Sequence, residues 1–435
     1  KFDWSAYPGA AQGLQGAVEM CNNNGACRAL SGGVMCPSYR VTRDERHVTR
    51  GRANLLRLAL SRQLGGQELD GDDLKEAMSL CVSCKACRRE CPTGVDMARL
   101  KIEVLAARRT SHGLKLRDRL IGHLPRYAQY AAALAPVLNL RDQVPGLARL
   151  AETLTGFEAR RPLPRWRRDR FEPTSVGMGG SQTNLGGEVV LFADTFSAAF
   201  ERERLENAAR VLWAAGATVR IAPAADRSRR PVCCGRTFLS VGAVEEAREE
   251  AKRAIAAFAP FARRGIPIVG LEPSCVFTFR DEIPSLVGGE DAGLLAGQVL
   301  LFEEYLARDD EAARSLRAKL KPLGRPVYLH GHCHQKAFGA MGAVEQVLRL
   351  IPGVEPQTIE TSCCGMAGAF GYQPETYDVS KAMAELSLLP AVRQAPTEAI
   401  VVADGTSCRH QIKDGTGREA VHVVDVLAEA LSQEV

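Results

Sequence analysis

The sequence predicts a multidomain α+β protein, with an all-helical, cysteine-rich first domain followed by two α/β repeats. Three observations predict it. The 14 cysteines are clustered rather than scattered. Helical patterning without strand signatures runs from the start to residue 158. From residue 188, short buried-strand patterns alternate with helical ones, and this programme occurs twice, each time around a Cys-Cys-Gly. The 435 residues suffice for several cores, and 46% hydrophobic content excludes a disordered polymer. The best charge-free stretch, Tyr127 to Leu140, contains Gln129, Pro136 and Asn139 and is shorter than the roughly 18 apolar residues a membrane span needs. The chain starts at Lys1 without a signal or transit pattern, so a segment of a longer, cytoplasmic protein is expected.

Clustered thiols in a chain of this size, without export signals, point to metal rather than to disulfides. Cys81-x2-Cys84-x2-Cys87-x3-Cys91-Pro92 is the run found in bacterial ferredoxins. Two-residue gaps wrap three thiolates around one cubane, and the cysteine before proline serves a second cluster. A zinc knuckle is the competing use of C-x2-C, but the full run with its proline is not zinc spacing. The partner motif is Cys21-Asn-Asn-Asn24-Gly-Ala-Cys27, then Cys36-Pro37. Exchange of the proline-flanked cysteines assigns Cys36, Cys81, Cys84 and Cys87 to one complete cluster. Cys21, Cys27 and Cys91 are left as a three-thiolate set. Asn24 stands in the missing cysteine's place, as a weak ligand or as a turn residue. Two clusters of the [4Fe-4S] type are therefore expected, the three-thiolate one open to a [3Fe-4S] form.

Between the motifs, Leu55, Leu56, Leu58 and Leu60 alternate with charged residues, and Asp72-Asp73 opens a helix running into Cys81. The cysteine loops thus fall at helix ends. Residues 95–150 are helical again, broken at Pro125, Pro136 and Pro145. The amphipathic stretch around Tyr127, Tyr130 and Leu138 reads as core packing. Residues 1–158 form the helical ferredoxin-like domain. Residues 159–187 form a linker, whose first part is stiffened by two prolines and solvated by six arginines. Residues 1–170 carry a net charge of +12. No nucleic-acid motif accompanies that charge, so nucleic acid is excluded as a partner.

The repeats span 188–310 and 311–435. Strands are expected at 189–192, 218–221 and 266–271, then at 327–330 and 399–403, with helices at 200–215 and 340–350. Cys233-Cys234-Gly235 corresponds to Cys363-Cys364-Gly365, and Cys275 to Cys408. Adjacent thiolates favour neighbouring metal ions, and the glycine is expected to let the loop approach the metal. Cys333 completes the second set. Its counterpart in the first repeat falls in Ala193-Asp194-Thr195, which has no cysteine. His332 and His334 are read as hydrogen-bonding groups rather than ligands.

The motifs Gly-Gly-Val-Met-Cys36-Pro-Ser-Tyr, His47-Val-Thr-Arg-Gly-Arg52, Leu-Glu-Pro-Ser-Cys275, His-Gly-His-Cys333-His-Gln-Lys and Ser-Cys363-Cys364-Gly-Met-Ala-Gly carry a resemblance. Together with the two ferredoxin motifs, the chain resembles the iron–sulfur half of FAD-linked D-2-hydroxy-acid dehydrogenases of the D-lactate and D-2-hydroxyglutarate type. It is also similar to the iron–sulfur subunit of glycolate oxidase. The resemblance implies FAD on an upstream domain or subunit, D-2-hydroxy acids as substrates and a quinone or carrier protein as acceptor. A peripheral contact with the inner face of the cell membrane goes with that acceptor. It gives this segment electron transfer only, with no catalytic residue of its own. The repeats also resemble the Cys-Cys-Gly subunit of heterodisulfide reductase, which offers a thiol/disulfide catalyst as the alternative. That pattern has a further cysteine where this sequence has Glu272 and Gly405. The candidate metal residues of the second half are Cys333, Cys363, Cys364 and Cys408, with Cys234 nearby, as a further iron–sulfur centre.

Overall fold

The computed structural model describes residues 2–5, 13–65, 69–172, 187–226, 228 and 230–432. The first domain is helical among its described residues, and its cysteines sit where helices begin or end. Cys21 follows helix Leu14–Glu19, Cys36 precedes Pro37–Thr42, and Cys81 follows Asp72–Ser79. Pro37 starts its helix with its missing N–H at a position that needs none. Helix Thr49–Leu60 turns Arg52, Ala53, Leu56 and Ala59 inward, and Met97–His112 is capped by Asp96 on the Arg99 amide.

The first repeat holds strands β1 (Glu188–Phe192), β2 (Thr218–Arg220), β3 (Ile268–Gly270) and β4 (Val299–Leu301), all parallel, in the order β2-β1-β3-β4. The second holds β5 (Val327–His330), β6 (Gln357–Thr358) and β7 (Ile400–Ala403), parallel in the order β6-β5-β7. The register makes the two repeats superimposable in sequence. Phe192 pairs with Gly270 and His330 with Ala403, and Cys275 and Cys408 each follow five residues after the paired position. The two sheets share one core, in which Val189 and Leu191 lie with Val327, Leu329 and Val344. β4 and β6 were not expected. β4 is a three-residue apolar run between helices, and β6 is two exposed polar residues, so neither carries a period-2 signal.

Two expectations need correction. The arginine segment is docked through Arg161, while Arg160, Arg165 and Arg168 stay exposed. Arg161 is 1% exposed and donates to the Gly371 carbonyl, Gln411 and Asp414. Of Tyr127, Tyr130 and Leu138 in the amphipathic stretch, only Tyr127 packs inward, against Trp166, whereas Tyr130 and Leu138 face outward, at 69% and 39% exposed. The inward face of the stretch is the alanine one (Ala128, Ala131, Ala132, Ala135), because small side chains allow the closer approach. The Gly-rich part of the linker, 177–186, lies outside the described residues. No described helix is long and apolar enough to cross a membrane.

Candidate metal centres

Cys36, Cys81, Cys84 and Cys87 line one cavity, together with Thr49 and Arg52. The local backbone shapes the loops that bring the four cysteines to this cavity. Cys36, Ser83 and Lys85 all have positive φ, at 53°, 51° and 62°. Such residues cost about 1–2 kcal/mol each and persist only where the surroundings enforce them. The amide and hydroxyl of Thr49 meet the Cys36 sulfur at 3.2 and 3.1 Å. Arg52 is buried and held by the Ala77 carbonyl and Ser38. Burial pushes the thiols of Cys84 and Cys87 well up. At Cys81 burial acts the same way, but Arg52, Lys101 and the Ser83 amide outweigh it and the thiol is lowered. Four buried soft donors, ringed by cations and amides, fit a cluster that carries net negative charge.

The other motif is stitched to this one through Glu90, whose carboxylate accepts from the amides of Val34 and Met35 at 2.7 and 2.8 Å. That bond ties Cys91's neighbour to Cys36's neighbour. Cys21 and Cys27 are buried. Burial pushes the Cys27 thiol up to about 11 against the opposing Arg50 amide. Cys91 is half-buried, and its sulfur meets Thr93 Oγ1 at 3.3 Å and the amides of its own loop. Asn24 is exposed, and its Oδ1 accepts from the Ala26 amide at 2.9 Å. That is the turn geometry of an asparagine in a polar loop. A three-thiolate set fits a cluster with one iron less firmly held.

In the second repeat, thiol interactions link Cys333 to Cys363, Cys363 to Cys364 and Cys364 to Cys408. His332 caps the helix Cys333–Phe338 through its Nδ1, and the His334 Nε2 meets the Ser83 carbonyl at 3.1 Å. Burial holds His334 well below the usual imidazole range, hence neutral. In the first repeat, Cys234 interacts with Cys233 and Cys275. These three cysteines form that repeat's own trio. Asp194 caps helix Thr195–Phe200 as His332 caps its counterpart, so Thr195 stands in the place of Cys333.

The two Cys-Cys-Gly turns are alike. Gly235 and Gly365 have φ of 83° and 80°, and their amides donate to the first cysteine at 3.3 and 3.4 Å. A Cβ would meet Ala247 O at 3.0 Å and Ser380 O at 2.2 Å. The glycine thus gives close approach to a neighbouring helix, not to the metal as expected. Gly405 explains the missing cysteine of the five-cysteine pattern. A Cβ there would lie 2.4 Å from His332 Cδ2, so the capping imidazole fills that space. Sequence reasoning missed His330, which reads as the last residue of a strand. It also missed the buried anchor between the first domain and the first repeat, where Lys85, Arg88 and Arg99 converge on Asp281. Their separation in sequence leaves no local signal.

Residues 17–95 match the 4Fe-4S dicluster domain, and residues 327–413 match a cysteine-rich domain. The chain is similar to the D-2-hydroxyglutarate dehydrogenase of Escherichia coli K12, at 26% identity over 99% of this chain and 45% of that protein. It is similar to a subunit of the anaerobic glycerol-3-phosphate dehydrogenase of the same organism, at 26% over 73% of this chain and 78% of that one. It is also similar to the probable glycolate oxidase iron-sulfur subunit of Bacillus subtilis, at 25% over 91% of each. The chain spans about half the length of the D-2-hydroxyglutarate dehydrogenases it matches. These likenesses bear out the expected recognition and order of domains. The 4Fe-4S dicluster domain thus comes first and the cysteine-rich domain second, in a chain similar to dehydrogenase components.

Proposed function

We propose that the chain is the electron-transfer segment of an FAD-linked oxidoreductase acting on D-2-hydroxy acids of the D-lactate, glycolate or D-2-hydroxyglutarate class. Its partners are a flavin domain or subunit on one side and a quinone or carrier on the other. Bound iron–sulfur clusters supply single-electron carriage between a two-electron flavin and that acceptor. Cys36, Cys81, Cys84 and Cys87 hold one cluster, and Cys21, Cys27 and Cys91 the second. Cys333, Cys363, Cys364 and Cys408 surround a further centre.

The observation that carries this reading is the seam between the first domain and the second repeat. Helix Ala86–Glu90, inside the ferredoxin run, packs on helix Cys333–Phe338. The Ser83 carbonyl meets His334 across that seam, and Cys84 and Cys333 sense each other's charge. Two sulfur sites thus lie side by side in a buried interface. The Lys85–Asp281 pair, both partners within 3% of full burial, fixes the first domain against the first repeat. Breaking such a pair leaves an uncompensated buried charge, so the spacing is enforced. The five-cysteine arrangement that a disulfide catalyst would use is blocked at Gly405.

The test is direct. The 435-residue chain alone should oxidise no hydroxy acid, and anaerobic preparations should contain iron and acid-labile sulfide. Joined to an FAD-bearing partner, it should carry electrons from a D-2-hydroxy acid to an artificial acceptor. A colourless protein loaded with zinc would refute the reading, as would flavin-free oxidation of a hydroxy acid.

A further inference from the structure

A histidine, not a cysteine, faces the sulfur set from the end of β5. The ligand atoms of His330, Cys364 and Cys408 lie within 4.8 Å of one another, and all three residues are buried. In a tetrahedral site, with metal–sulfur bonds of about 2.3 Å and metal–nitrogen bonds of about 2.0–2.1 Å, neighbouring donors lie about 3.6 Å apart. The trio therefore closes on one ion with small side-chain adjustments.

A second observation stands apart from the clustering. His330 is 1% exposed, and its Nδ1 is paired with Thr361 Oγ1 at 3.0 Å. Lys336 Nζ donates to the same hydroxyl at 2.7 Å and so fixes it. The other ring nitrogen, Nε2, is buried and has no oxygen or nitrogen partner among the described residues; the group His330 meets there is the Cys364 thiol. One ring nitrogen oriented by an outer group, with the other turned to thiols, is how metal-binding histidines are held. The first repeat supplies the contrast. At the same register position it has Phe192, edge-on to Phe258 and Phe279 in an apolar cluster.

We infer that His330 is a metal ligand: His330 Nε2, Cys364 Sγ and Cys408 Sγ form a mixed nitrogen–sulfur site for a thiophilic divalent cation, zinc or ferrous iron. Cys333, three residues after His330 at the start of helix Cys333–Phe338, provides the fourth donor. Cys363 stands behind these donors: its sulfur accepts the Gly365 amide and interacts with Cys333 and Cys364. Binding releases the thiol protons to solvent, and no electron changes hands. The inference rests on the further centre proposed above and names its donors.

The experiment uses the full chain with its first-domain clusters in place, titrated anaerobically with Co2+ and read by difference absorption. The wild type should bind one ion with tetrahedral d–d bands and sulfur-to-cobalt charge transfer. His330→Ala should weaken binding about 100-fold, and Thr361→Val, which removes only the orienting hydroxyl, about tenfold. His330→Cys should restore affinity with stronger charge transfer. Cd-113 NMR of the wild type gives the donor set without any variant, and a sulfur-three, nitrogen-one shift is expected. A wild type that binds no Co2+ overturns the centre itself. A wild type that binds while His330→Ala matches it, or an all-sulfur cadmium shift, overturns histidine ligation alone.

Discussion

The two α/β repeats share strand order, register, the glycine turn after the paired cysteines and the capped helix after the first strand. Around the site they differ at four corresponding positions. Phe192 corresponds to His330, Asp194 to His332, Thr195 to Cys333 and Glu272 to Gly405. In the first repeat these residues close the space with an aromatic cluster and a polar bridge, since Glu272 accepts from the Thr406 amide at 3.0 Å. In the second they leave a ring of nitrogen and sulfur donors. The fold therefore tolerates either filling, and metal affinity resides in a few side chains rather than in the architecture.

The largest test of this contrast is a pair of substitutions. Cys364→Ser should remove the metal of the second half and destabilise it by several kcal/mol, because the site's binding energy is also folding energy. Cys234→Ser should leave the metal content unchanged. Metal analysis with thermal unfolding of both variants decides it, and equal losses would break the contrast. Next in size, Phe192→His should cost about 3–5 kcal/mol by emptying an aromatic cluster, without gaining metal, because Thr195 supplies no thiolate. Denaturant titration and metal counting check both parts.

The glycine turns sharpen the comparison at smaller scale. Gly235→Ala should cost about 1–2 kcal/mol for its left-handed backbone. Gly365→Ala should cost more, since its Cβ meets a carbonyl at 2.2 Å rather than 3.0 Å. Parallel unfolding curves should rank them in that order. The smallest effect concerns Asp194, whose carboxyl is pushed up to about 6 by burial and by Glu272 beside it. The folded state then binds its proton more tightly than the unfolded chain, so stability falls as pH rises from about 4 to about 6. Asp194→Asn should flatten that decline, and an unchanged slope in urea titrations across this range would contradict the assignment.

The cysteine spacings made the first domain legible, because a C-x2-C-x2-C loop has few uses and Pro92 marks the crossing cysteine. β5 was legible to the residue, as four apolar-to-aromatic positions before a glycine. What stayed hidden depends on long-range contacts. His330 is a strand end until β7 and the Cys-Cys-Gly turn bring Cys408 and Cys364 to it. Arg161 reads as solvated until Gly371 and Asp414, more than 200 positions on, are seen around it. The outward face of Tyr130 and Leu138 misled because hydrophobic periodicity marks an apolar stripe without saying which side is buried.

The central claim is that the two ferredoxin motifs exchange a ligand, so that Cys36 serves the cluster of Cys81, Cys84 and Cys87 against the second repeat. Electron paramagnetic resonance during anaerobic reduction, on Cys36→Ser, Cys81→Ser and Cys91→Ser, tests it most directly. The account predicts that Cys36→Ser and Cys81→Ser lose the same four-iron signal, while Cys91→Ser keeps it and loses the other cluster. If Cys36→Ser instead behaves like Cys91→Ser and spares the four-iron signal, the exchange is wrong.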